Sequence, residues 1–132
     1  MSKITIEVMQ PSQVKISDEY DHVIVPGSEG DFGVYEDHTP FITKMRPGIL
    51  QLYKNNSVEK YAIHDGFVTV ENNVVKIVCE NIEKENEIDK GRAEAAKERA
   101  EKRLRSSESD IDFRRAELAL KKALVRLKLQ SR

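Results

Sequence analysis

The sequence predicts an all-β sandwich of about nine to ten short strands, followed by an antiparallel α-helical hairpin. Three observations carry this. Up to about Lys84, apolar residues alternate with polar ones and turn residues interrupt them at short intervals. From Ile88 onward, apolar residues recur every three to four positions instead. Seven of the eight aromatic residues lie in the alternating part, which concentrates the large core side chains there.

The strands read as follows. Ile4, Ile6 and Val8 alternate with Thr5 and Glu7, and Gln10-Pro11 ends that strand. Val14 and Ile16 start a second strand, and Val23 to Val25 form a third that ends at Pro26-Gly27. Phe32 to Tyr35, Phe41 to Met45 and Ile49 to Tyr53 follow, separated by Asp37-His38-Thr39-Pro40 and Pro47-Gly48. Asn55-Asn56-Ser57 predicts a hairpin turn, Asp65-Gly66 a turn between Val58–Ile63 and Phe67–Val70, and Glu71-Asn72-Asn73 a turn into Val74 to Cys79. Such a run of short strands predicts an antiparallel sandwich or flattened barrel.

Asn81 to Glu87 is polar and acidic and reads as a connector. Helix one is expected from about Asp89 to Arg105, with Ala93, Ala96, Ala100 and Leu104 as a narrow stripe. Ser106 to Asp110 breaks the pattern, and Ser109 with Asp112 predicts a capping pair. Helix two is expected from about Asp110 to Leu129. Phe113, Ala116, Leu120, Ala123 and Leu127 form its main stripe; Leu118, Val125 and Leu129 form a second. The expected domains are therefore residues 1–84 and 85–132. An alanine stripe removes little area from water, so the hairpin is expected to be weakly held and mobile.

Charge divides the same way. The chain of 132 residues carries a net −1, with −5 on residues 1–84 and +4 on residues 85–132. A basic half can seek an acidic partner. The single cysteine, Cys79, leaves no internal disulfide to form and suits a reducing compartment. Met1-Ser2-Lys3-Ile4 leads directly into strand alternation, so no signal peptide is expected. No apolar run reaches the roughly 20 residues that span a bilayer. Membrane association is therefore expected only through another protein.

His22, His38 and His64 stand at no metal-ligand spacing, and Gly27-Ser28-Glu29-Gly30-Asp31-Phe32-Gly33 lacks the lysine and hydroxyl ending of a phosphate loop. No serine or cysteine has the surroundings of a nucleophile. The stretch Ile88-Asp89-Lys90-Gly91-Arg92-Ala93 is more informative. Asp89 can cap the free N–H groups of a helix start, and Arg92 lies one turn on. Helix starts attract anions. Arg99, Arg115, Lys122 and Arg126 follow at helical spacing. They read as a phosphate-binding face, or as a solvated face with pairs such as Glu98 and Lys102. A non-catalytic module whose basic hairpin grips nucleic acid or an acidic protein is the alternative. Glu94, Glu98 and Glu101 interrupt the basic stripe and weigh against nucleic acid.

From Gly30-Asp31-Phe32-Gly33, His38-Thr39-Pro40 and Asp65-Gly66-Phe67, and above all from Ile88 to Ala93, Ala95 to Ala100 and Asp110 to Leu120, the whole chain resembles the epsilon subunit of F-type ATP synthases. It is similar to the ATP-binding type found in some bacteria. The resemblance implies a central-stalk subunit without an active site of its own. Its partners would be the gamma subunit, the c subunits of the rotor ring and the alpha/beta catalytic head, reached through a beta acidic loop. Neither nucleic acid binding nor membrane insertion is implied. The place implied is the cytoplasmic face of the bacterial cell membrane, held through the complex.

The resemblance further implies that the hairpin hinders ATP hydrolysis when extended, and that bound ATP stabilises its folded state. Glu83, Ile88, Asp89, Arg92 and Ala93 would hold the base and ribose, and Arg99 and Arg126 would approach the phosphates. Glu29, Asp31 and His38 would face the rotor ring. ATP is thus expected as a regulatory ligand, with Mg²⁺ left unassigned. Two departures stand out. Lys122 replaces an arginine common in such members, keeping the charge and losing the planar fork. Val34-Tyr35 replaces a Leu-Pro pair before the His38 turn.

Overall fold

The computed structural model describes residues 3–130; Met1, Ser2, Ser131 and Arg132, the outer ends of the two expected domains, lie outside the described residues. Eight strands come first: β1 Ile4–Gln10, β2 Gln13–Tyr20, β3 His22–Gly27, β4 Gly30–Val34, β5 Phe41–Met45, β6 Gly48–Lys54, β7 Ser57–Glu71 and β8 Val74–Lys84. A 3₁₀ turn at Glu85–Glu87 leads to α1, Lys90–Ser106, and α2, Asp110–Gln130. The chain forms two compact units, one ending at Glu83 and the other starting at Lys84.

The strand order is β2-β1-β8-β7-β5-β3-β4, with β6 paired to both β3 and β7. β1 and β8 run parallel; β1–β2, β3–β4, β5–β7 and β6–β7 are antiparallel. The interior is filled by the alternating residues that the sequence marks, including Ile4, Ile6, Val8, Val23, Val25, Leu50, Leu52, Ile63, Val75 and Ile77. Polar contacts tie β2, β6 and β7. Lys54 Nζ donates to Asp18 Oδ2 at 2.7 Å, and the Tyr20 and Tyr61 hydroxyls donate to Glu59 Oε1 at 3.3 and 2.7 Å.

The strand count is eight rather than nine to ten, because the expected strands 58–63 and 67–70 are one long strand, β7. Asp65 is left-handed (φ 44°), but the chain does not reverse there. It bends. Before the bend β7 pairs with β6, from Lys54↔Ser57 to Gly48↔Ile63; after it β7 pairs with β5, from Met45↔Gly66 to Phe41↔Val70. Asp65-Gly66 therefore works as a bulge-like corner at which a strand changes neighbours. The true reversals use paired left-handed asparagines, Asn55 and Asn56 (φ 50° and 65°) and Asn72 and Asn73 (φ 52° and 62°). These conformations follow the right-handed twist of hairpin strands.

In the second unit, Asp89 is the residue before α1, and its Oδ1 accepts the Arg92 N–H at 3.1 Å. Ser109 Oγ accepts the Asp112 N–H at 3.1 Å at the start of α2. The helices pair mostly through small residues: Ala93 and Ala100 are buried on α1, and Ala116 and Ala123, with Leu129 at the end, on α2. Phe113, expected on the seam, is 44 % exposed, and Leu129 of the second stripe is buried instead. An alanine seam admits close helices and leaves no room for a phenyl ring beside it.

Candidate functional site

Two groups of residues singled out by the sequence fall in the two units. The first is the start of α1. Lys84 N–H donates to Glu87 Oε1 at 2.8 Å, and Ile88 N–H donates to the Glu85 carbonyl at 3.2 Å, so the chain enters the helix through a fixed turn. Ile88 is buried, whereas Asp89 and Arg92 are exposed. Ala93, buried on the seam, donates its N–H to the Asp89 carbonyl at 3.0 Å. Asp89, Arg92 and the N-terminal N–H groups thus share one helix turn, and the dipole there favours negative charge.

Gln130, at the last turn of α2, donates its side-chain amide to the carbonyls of Ile88 and, at 3.4 Å, Glu85. The end of α2 therefore lies beside the start of α1, and the hairpin is antiparallel. That register brings half-buried Arg126 and Lys122 near the level of Arg92, to within about one or two turns. Arg99, exposed, stands seven residues beyond Arg92, about 10 Å along the axis. The span suits a chain of phosphates better than a single one. Arg115 lies at the other end, on an open cleft of about 410 Å³ shared with Arg103 and lined also by Glu108 and Asp112. Glu83 belongs to the sandwich unit. Its Oε1 is 3.8 Å from Nε2 of His64, the buried polar residue of β7.

The second group is at one end of the sandwich. Glu29 is exposed on the β3–β4 turn. Asp31 is not free: Arg46 Nη2 donates to its Oδ1 at 2.7 Å and Nη1 to the Gly27 carbonyl at 2.8 Å. His38 meets Phe41, centroids 6.4 Å apart, and Phe41 stands edge-on to Phe32 at 5.3 Å. Asn73 Oδ1 accepts the Asp37 N–H at 2.7 Å and so pins the His38 loop to the β7–β8 turn. Tyr35 stacks on His22 at 4.6 Å, and His22 on Tyr53 at 4.1 Å. Tyr35 thereby anchors this loop by its ring. Arg46, Asn73 and Gln130 carry no motif, and spacing gives no sign of them; their partners are 15, 36 and 42 or more residues away in sequence.

Among the described residues, no group of three His, Cys, Asp or Glu side chains is placed to hold a metal ion, and no helix is long and apolar enough to cross a membrane. Cys79 is buried, and burial pushes its thiol up to about 11, away from the thiolate a nucleophile needs.

Comparison with known proteins gives one family. The profile described as ATP synthase, Delta/Epsilon chain, beta-sandwich domain matches residues 3–85, and that of the long alpha-helix domain matches residues 86–129. An ATP synthase epsilon chain of Desulforamulus reducens is 38% identical over 123 residues, covering 93% of each chain. One of Desulfitobacterium hafniense is 42% identical over 123 residues, covering 93% of this chain and 92% of that one. The fold recurs in a chain of the Euglena gracilis mitochondrial ATP synthase assembly of OSCP, F1 and c-ring. Its TM-score is 0.84 at 22% identity, covering 96% of this chain and 79% of that one. It recurs again in the central stalk and c-ring of the Tetrahymena thermophila enzyme, with a TM-score of 0.68 at 12% identity and 98% of both chains covered.

Proposed function

The chain belongs to the ATP synthase delta/epsilon family as an epsilon chain, and on that premise we propose that it is a nucleotide-sensing subunit of the rotary central stalk. The sandwich binds the gamma subunit and the c subunits of the rotor ring, and turns with them. Glu29 and the pinned His38 loop face the ring. Asp31, paired with Arg46 and still exposed, faces the ring beside them. The subunit sits on the cytoplasmic face of the bacterial membrane through the complex and carries out no chemistry itself.

The hairpin is the regulator. Extended, its basic helices meet the acidic loops of the catalytic head and hinder ATP hydrolysis. Folded, it takes up ATP, with Glu83, Ile88, Asp89, Arg92 and Ala93 toward the base and ribose, and Arg99 and Arg126 toward the phosphates. Lys122 adds charge without a fork. The observation that carries this reading is the first turn of α1: a capped helix start with Arg92 on it, in a hairpin held by alanines. ATP that binds only the folded state stabilises it by RT ln(1 + [ATP]/Kd), about 1.4 kcal/mol at ten times Kd. That suffices to redistribute two states already close in free energy.

Calorimetric titration of the full chain with ATP tests it, with and without Mg²⁺. Saturable one-to-one binding is expected. Arg92→Ala should weaken it about 10- to 100-fold, the loss of one or two charge-assisted hydrogen bonds. If the wild-type chain takes up no ATP at millimolar concentration, the nucleotide role fails and the stalk role is left.

A further inference from the structure

We propose that Gln130 is the clasp that keeps the hairpin shut, and that its release is the first step of hairpin opening. This rests on the reading that the hairpin opens, and it adds the residue that governs the opening. Apart from Leu129 at its open end, the buried seam between α1 and α2 is made of alanines, each removing little area from water. At the open end, a polar tie is added to the buried Leu129 and Ile88. Gln130 Nε2 donates to the carbonyls of Glu85 and Ile88, which bracket the 3₁₀ turn leading into α1. The flanking Leu129 and Ile88 are 1 % and 6 % exposed, so the bond to Ile88 is partly kept from water, while the longer bond to Glu85 lies at the surface.

The clasp is set to release. The other end of the same amide, Gln130 Oε1, is buried with no donor among the described residues. A buried acceptor without a donor costs free energy that water would return on opening. The closed state therefore keeps only part of what the two donated bonds contribute. The position of the clasp links it to the nucleotide. The Ile88 carbonyl immediately precedes Asp89, whose side chain caps the Arg92 N–H. Whatever holds that backbone in place also holds Asp89 and Arg92. A ligand on Ile88 to Ala93 and a closed Gln130 thus favour each other, as any two events on one conformer do.

Amide hydrogen exchange on the full chain, without ATP, tests the clasp directly. In Gln130→Glu a carboxylate faces two carbonyls, and the amides of α1 and α2 should exchange about five- to tenfold faster, the range of one net hydrogen bond. Gln130→Lys returns N–H donors to the same carbonyls and should bring exchange back to within about twofold of wild type. Sandwich amides should not change in either variant. Wild-type exchange in Gln130→Glu overturns the proposal, as does Gln130→Lys exchanging as fast as Gln130→Glu. Titration with ATP supplies the second arm. Gln130→Glu should weaken ATP in proportion to the rise in the open population. Unchanged affinity beside faster exchange overturns the link to the nucleotide. Failure of the wild-type chain to take up ATP refutes the nucleotide reading alone, because the exchange result is obtained without it.

Discussion

A methyl group added at Gly66 would lie 2.0 Å from the Val78 carbonyl oxygen and 2.9 Å from Cys79 Cα. Both are backbone atoms of β8, so neither can swing aside. Gly66→Ala should therefore destabilise the sandwich by about 3 kcal/mol or more, read as a lower urea midpoint with an unchanged slope. A loss under about 0.5 kcal/mol, the usual effect of a surface change, would mean that β8 yields at this corner. The Asp65-Gly66 pair reads in the sequence as a hairpin turn, since those are turn residues. What sequence cannot show is the strand passing a few ångströms away, and that proximity is what needs the glycine. Next to this corner, burial raises the Cys79 thiol from 9.0 to about 11. Burial, then the nearby Glu59 carboxylate, raises Tyr20 from 10.0 to about 12. Both groups hold their protons longer folded than unfolded. Their contribution is fully present below pH 9 and is lost as pH rises through 11 and 12. Sandwich stability should thus fall on titration from pH 9 to 11, and Cys79→Ala with Tyr20→Phe should start lower but fall less steeply. An equal slope in the double variant would assign the alkaline loss to other groups.

At the scale of elements, α1 and α2 occupy the spans that their periodicity predicts to within a residue or two, because caps and stripe are local features. Asp89 shows how a cap and a contact can be told apart. Asp89→Ala removes the acceptor of the Arg92 N–H and should cost the hairpin about 1 kcal/mol. Asp89→Ser keeps a capping oxygen and should cost only a few tenths of that. If the carboxylate also holds ribose, Asp89→Ser should weaken ATP nearly as much as Asp89→Ala. Equal ATP affinity in Asp89→Ser and wild type would reduce Asp89 to a cap. The pairing of the helices was less legible. Phe113 fits the stripe by count, yet it stands about 60° round the helix from Ala116, and the close alanine seam excludes it. The Asn73 and Arg46 ties at the sandwich end, and Gln130 at the hairpin end, join residues distant in sequence. No period or motif encodes such partners; only the assembled topology brings them together.

For the whole molecule, every buried member of the sandwich core lies between Ile4 and Ile82. The change of hydrophobic period, the change of net charge from −5 to +4 and the division into compact units all fall within residues 81–88. The two halves are thus built on different physics. The first buries branched and aromatic side chains between strands and has the core of an independent domain. The second closes two helices on alanines, and isolated helices of that length are marginal in water. A chain ending at Lys84 should accordingly unfold in one cooperative step, with sandwich amides as protected as in the full chain. It should bind no ATP. It should still join a gamma-subunit complex, and that complex should no longer show inhibition relieved by ATP. A broad, non-cooperative melt of the shortened chain would show that the hairpin completes the sandwich, and the regulator could then not detach without cost to the rotor. A cooperative melt with ATP-relieved inhibition intact would place regulation in the sandwich. The first outcome bears on stability and the second on function, so one shortened chain tests separately whether the hairpin is an appendage and whether it is the sensor.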